Sequence, residues 1–144
     1  MRDLMQDIQI VQTIVPIVAN NTAEGTGVGV DRKGFEAAEL LVHVGDSGDT
    51  LSGSLYWTIK LQENDVDTAG TYADVAAGDI IGPNQGLVID APAEDQRIVR
   101  IGYKGKKKWL RALLTQTGTH TNGTPLGAVF ILGSPAVRPI TIAP

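Results

Sequence analysis

The chain predicts an all-β fold, an antiparallel β-sandwich of jelly-roll-like type with about eight strands, and three observations lead there. Seventeen Gly and seven Pro stand against only two Met in 144 residues, a composition of many turns and short elements. Gly is absent before Gly25 and then recurs about every seven residues as far as Gly133, a rhythm of strands and turns rather than helices. Leu55, Trp57, Ile59 and Leu61 alternate strictly with Tyr56, Thr58, Lys60 and Gln62, so one face of that strand is core and the other is wet or covered by a partner. The length fits a single domain spanning residues 1–144, with an opening segment 1–24, a sandwich core 25–135 and an extended tail 136–144.

The elements follow in order. Ile8 to Ile14 reads as a first strand, with Pro16 marking an edge or a bend. It is either an ordinary edge strand or an arm that pairs with a neighbouring subunit, because an exposed edge readily accepts another strand. Asn20 to Gly34 is a loop. From Phe35 to Val44 a period of two places Ala38, Leu40, Val42 and Val44 on one face and Glu39, Leu41 and His43 on the other, and the Val-rich end favours strand over the helical propensity of Glu-Ala-Ala-Glu-Leu-Leu. A turn at Asp46 to Asp49 leads to the strand Ser54 to Gln62. Thr71 to Val75 and Leu87 to Ile89 are short strands separated by turn-dense segments.

Arg97 to Tyr103 and Trp109 to Gln116 flank a short polar segment containing Gly105, which predicts a central antiparallel hairpin with Gly105 at positive φ in its turn. Leu126 to Leu132 is the last strand. The tail from Ala136 onward is apolar but punctuated by Pro, and reads as a second extended arm.

Charge is unevenly distributed. Seven of the twelve Lys and Arg lie between Arg97 and Arg111, whereas Gly34 to Gln96 holds only Lys60 against twelve acids. Lys104, Lys106, Lys107, Lys108 and Arg111, beside Tyr103 and Trp109, are open to three readings: a solvated turn, a contact for an acidic protein surface, or a contact for single-stranded nucleic acid. The net charge of −4 disfavours the last.

Catalytic chemistry finds little to work with. The absence of Cys removes thiolate nucleophiles and thiolate metal sites, and neither His43 nor His120 has a motif context that would make it the base of a triad. Both histidines are expected to meet solvent or an ordinary hydrogen-bond partner. The acidic loops Asp46-Ser-Gly-Asp and Glu63-Asn-Asp-Val-Asp lack the spacing of a calcium loop. No enzyme, metal or cofactor is expected. The opening residues carry Asp3 and Asp7 where a signal peptide would be basic, and no apolar run reaches membrane-helix length, so a cytoplasmically made, soluble chain is expected.

The segment Arg100-Ile-Gly-Tyr-Lys-Gly-Lys-Lys-Lys-Trp-Leu-Arg111, then a Thr/Gly-rich loop and Gly127-Ala-Val-Phe-Ile-Leu-Gly-Ser-Pro135, resembles a group of small structural proteins of tailed bacteriophages. Trp57 to Glu63 with Asp65, and Thr71-Tyr-Ala-Asp-Val75, are similar as well. The resemblance implies a virion protein of the capsid decoration, or cement, type, with the major capsid protein and further copies of itself as partners and no catalytic residues. A head-completion or tail component, or a carbohydrate- or host-binding module, is the alternative. The residues expected to carry assembly are Lys104, Lys106, Lys107, Lys108 and Arg111, Tyr56 and Lys60 on the outer face of the alternating strand, Ile8 and Ile10 in the opening segment (Leu4 to Ile14), and Val137 and Ile140 in the tail (Val137 to Ile142).

Overall fold

A computed structural model describes residues 4–83 and 86–140. Among the described residues, ten strands form two five-stranded antiparallel sheets. They are β1 (Gln9–Ala19), β2 (Val30–Asp31), β3 (Phe35–Val44), β4 (Tyr56–Asn64), β5 (Ala73–Asp74), β6 (Ile80–Ile81), β7 (Leu87–Ile89), β8 (Arg97–Tyr103), β9 (Trp109–Thr117) and β10 (Thr124–Pro135). Sheet I has the order β1-β10-β3-β8-β6; sheet II has β2-β9-β4-β5, with β7 also on β4. Apart from the step from β4 to β5, each successive strand lies in the opposite sheet, which is the winding of a jelly roll. β5 pairs with Gln62 and Glu63 and β7 with Trp57 to Ile59, so the two short strands line up along one edge of β4.

The alternating patterns become the core. From sheet I, Leu40, Val42, Val44, Val99, Ile101, Phe130 and Leu132 point inward; from sheet II, Trp57, Ile59, Leu61, Leu110, Ala112 and Leu114 meet them, all buried. Burial of such side chains stabilises by about 1.5–3 kcal/mol each. The strand reading of Phe35 to Val44 holds despite its helix-prone start, because β3 sits between β10 and β8 and its inward residues have no solvent face to occupy.

Several expectations are corrected. The segment around Gly105 is not a hairpin: β8 pairs with β3 and β6, β9 pairs with β2 and β4, and Lys104 to Lys108 crosses from sheet I to sheet II. Two amphipathic strands joined by a short polar segment look the same in sequence whether they share a sheet or face each other across a gap of about 10 Å. Nor does Gly105 adopt positive φ. A Cβ there would lie 2.5 Å from the Tyr103 hydroxyl oxygen, so close packing excludes a side chain.

The expected loop from Asn20 to Gly34 contains β2 and runs along β9 before it, through hydrogen bonds from Gly27 N–H to Ala112 O (2.9 Å) and from Leu114 N–H to Gly25 O (2.8 Å). The strand expected over Thr71 to Val75 shrinks to β5 after a single 3₁₀ turn at Ala69–Thr71.

The two arms fold onto their own chain. β1 continues through Pro16 to Ala19 as an edge strand on β10, absorbing the proline with register shifts between Gln12 and Ile17. The tail turns back: Ala136 N–H donates to Gly34 O (2.9 Å), Ile140 N–H to Gln6 O (3.2 Å), and Arg138 pairs with Asp7 at 3.1 Å. Thr141 and Ile142 lie outside the described residues.

Candidate interaction surfaces

The two sheets present different outer faces. On sheet II the outward Lys60, Gln62 and Arg111 are tied into one hydrogen-bonded network with Asp74, beside a half-buried Leu113. Lys60 pairs with Asp74 at 2.7 Å; Gln62 donates to the same carboxylate at 2.8 Å and accepts from Arg111 Nε at 2.9 Å. The Arg111 guanidinium lies 4.3 Å from the centre of the Tyr72 ring, whose hydroxyl donates to Asp67 at 2.9 Å. Burial raises the Asp74 carboxyl, but Lys60 and Gln62 outweigh it and hold the group below its ordinary range. Burial and the Asp67 carboxylate raise the Tyr72 phenol.

On sheet I the pairing register brings together residues distant in sequence. One outward row is Ile10, Ile131, Glu39, Gly102 and Ile81. The next is Gln12, Val129, Leu41 and Arg100. A third places His43 between Gly127 and Ile98, with Pro16 packed where a Gly127 side chain would be. Ile10, Ile81 and Ile98 are each more than half exposed, at 61, 60 and 56%. The charges in the middle are Glu39 and Arg100, joined by two hydrogen bonds, Nε to Oε1 and Nη2 to Oε2. Glu39 raises the pKa of the Arg100 guanidinium, first through that hydrogen bonding. The exposed face of an antiparallel sandwich sheet is ordinarily polar, so this apolar surface is a departure.

The expected assembly residues fall into different places. Ile10 is on the apolar face of sheet I and Ile8 is half-buried just before β1. Val137 is exposed at 77%, while Ile140 is half-buried in the folded-back tail. Tyr56, Lys60 and Arg111 belong to the polar face of sheet II, the last two inside its hydrogen-bonded network. In the basic crossing, Lys107 pairs with Asp65, and Lys108 pairs with Asp31 at 3.2 Å while lying 5.2 Å from the Trp109 ring centre. Lys104 and Lys106 extend into solvent beside a shallow hollow edged by Glu63 and Asp79.

Arg32 shapes that crossing. Its Nε donates to Lys107 O at 2.6 Å, Nη2 to Gly105 O at 3.1 Å and Nη1 to Phe35 O at 3.2 Å. The guanidinium also lies 5.4 Å from the Tyr103 ring centre. Nothing in the loop sequence around Arg32 signals this; it follows only from the crossing of β8 into β9.

His43 is exposed on the outer face of sheet I, as expected. His120 corrects the expectation of solvent or an ordinary hydrogen bond. It is buried, its ring centre 4.9 Å from that of Trp57, and neither ring nitrogen has a hydrogen-bond partner among the described residues; the Asp49 carboxylate is 3.8 Å away. It is packed against Trp57 in the interior. Among the described residues no group of three or more His, Asp or Glu side chains is placed to hold a metal ion, and no helix is long and apolar enough to cross a membrane.

Comparison with known proteins yields no match: no family model, no curated protein and no solved structure corresponds to this chain.

Proposed function

We propose that this chain is a structural protein of a tailed-phage virion that decorates and stabilises the capsid by binding the major capsid protein lattice and neighbouring copies of itself. The observation that carries the reading is the contrast between the two outer faces. Sheet II links its outward Lys60, Gln62 and Arg111 with Asp74 in one network, whereas sheet I leaves Ile10, Ile81 and Ile98 exposed on a five-stranded surface. Such a surface is suited to contact by area rather than to holding a small molecule, for which a concave pocket with a few convergent polar groups is the usual arrangement. The resemblance of Arg100 to Arg111 and of Gly127 to Pro135 to phage structural proteins supplies the virion setting.

A decorating protein gains stability on a shell by repetition. Each contact can be weak, because neighbouring copies held on one lattice act at high effective concentration. The solvent-facing Lys104 and Lys106 add long-range attraction toward an acidic lattice surface.

The test is copy number per particle, by quantitative mass spectrometry of purified virions against the major capsid protein. A number that scales with the shell supports decoration. A small fixed number assigns the chain to a neck or tail ring, and absence from the particle overturns the virion reading.

A further inference from the structure

We infer that the outer face of sheet I is a contact between two copies of this chain, packed face to face about a two-fold axis. This deepens the assembly reading and rests on it for the view that the face is covered at all. What selects a second copy is charge. The molecule carries a net charge of −4, and its acids are concentrated in the segment between Gly34 and Gln96, yet the face itself is neutral. Its paired charges Glu39 and Arg100 balance each other within a surround that is apolar except for Gln12 and His43, so it is complementary to itself, as an isologous interface requires.

Shape agrees with charge. The Arg100 side chain is 70% exposed and the Glu39 side chain only 27%, so the cation stands above the face while the anion lies within it. Beside them Gly102, with no side chain, leaves a recess edged by Ile81, Gly82, Glu39 and the chain's own Arg100. A Cβ on Gly102 would come within 3.1 Å of Ile81 Cβ. In the pair, Arg100 of each copy enters the recess of the other and shares its guanidinium between the two Glu39 carboxylates, while Leu41 and Val129 pack across the axis. Five strands at about 4.8 Å spacing give a footprint of roughly 20 by 20 Å, about half the area that each partner contributes to a standard interface. The pairing is therefore weak in solution and is reinforced when copies are held side by side.

Sedimentation of the full-length chain over a concentration series up to about 1 mM, the weak end of specific association, reads this directly. The expected result is a shift from a 15.2 kDa monomer to twice that mass. Val129→Glu at the centre is expected to weaken dimerisation at least about ten-fold, and Ile81→Lys on the two-residue edge strand gives the same readout should Val129→Glu fold poorly. Arg100→Glu abolishes the pairing and the double variant Glu39→Arg with Arg100→Glu restores it, whereas Thr117→Glu on sheet II leaves it unchanged. A wild-type chain monomeric throughout, a dimer insensitive to the sheet I variants, or one broken by Thr117→Glu overturns the inference. A monomer that is nonetheless present in virions in shell-scaled number assigns the face to the lattice and leaves the proposed function standing. Absence from virions overturns that function without bearing on the dimer.

Discussion

Trp57 on β4 donates its indole N–H to the hydroxyl of Thr124 on β10 at 3.0 Å, a bond that joins the two sheets inside the core. The same hydroxyl lies 2.8 Å from Ser47 Oγ, so the turn after β3 is held to the same point. Thr124→Val keeps the shape and removes the acceptor, leaving a buried N–H unpaired. The expected cost is about 1–3 kcal/mol, read as a lower denaturation midpoint in urea. An unchanged midpoint would mean that the indole N–H finds another partner.

Asp49 fastens the loop before β10. Its carboxylate accepts from the backbone N–H groups of Asn122 (3.0 Å), Gly123 (2.9 Å) and Thr121 (3.3 Å). These bonds, that from Asn122 foremost, hold its pKa below the ordinary value of 3.8 against the opposing effect of desolvation. A lowered folded-state pKa means that the unfolded chain binds the proton more readily. The stabilisation is therefore present above the ordinary carboxylate pKa and is lost as pH falls through the folded value. Asp49→Asn is expected to cost about 1–3 kcal/mol at neutral pH and to flatten the acid limb of a stability-against-pH curve. An acid limb as steep as the wild type's would place its origin in another carboxylate.

Arg32 is expected to matter more than its loop position suggests. Lys in its place keeps the charge but loses the planar fork that reaches three carbonyls. Arg32→Lys should destabilise by about 1–3 kcal/mol and raise hydrogen exchange at Lys107 N–H, which donates to the Tyr103 hydroxyl at 2.9 Å. Unaltered exchange there would show that Tyr103 alone holds the crossing.

The basic crossing divides into two pairs with different expected behaviour. Lys107 and Lys108 are engaged with Asp65 and Asp31, so reversing their charge disturbs the fold locally as well as any contact. Lys104→Glu with Lys106→Glu is the cleaner variant: stability should change by no more than about 0.5 kcal/mol, while attachment to capsids weakens and loses its salt dependence. Undiminished attachment would remove the crossing from the lattice contact.

How far the sequence could be read depended on whether a signal was local. The alternation in Trp57 to Leu61 and Ala38 to Val44 is a property of each strand alone, and it placed those core faces correctly. Partner choice is not local. β8 and β9 each carry an inward stripe that fits either a shared hairpin or two facing sheets, and the difference appears only in pairing. The two-residue strands β2, β5 and β6 are made by neighbours rather than by propensity. His120, in a Thr/Asn/Gly loop, gives no sign of its burial against Trp57. The apolar outer face is illegible in sequence for the same reason: Ile10, Ile81, Ile98 and Ile131 are scattered along the chain and meet only through register, whereas Tyr56 and Lys60, which the alternation marks as outward, lie on the polar sheet.

On the proposed function, the apolar face of sheet I is covered in the working assembly and the polar face of sheet II is exposed. Hydroxyl-radical footprinting of the chain, free in dilute solution and in purified virions, tests it side chain by side chain. Protection of Ile81 and Ile98 in the particle, with labelling of Tyr56 and Tyr72 unchanged, is the expected result. Full labelling of Ile81 and Ile98 in the particle, or protection confined to Tyr56 and Tyr72, would contradict it.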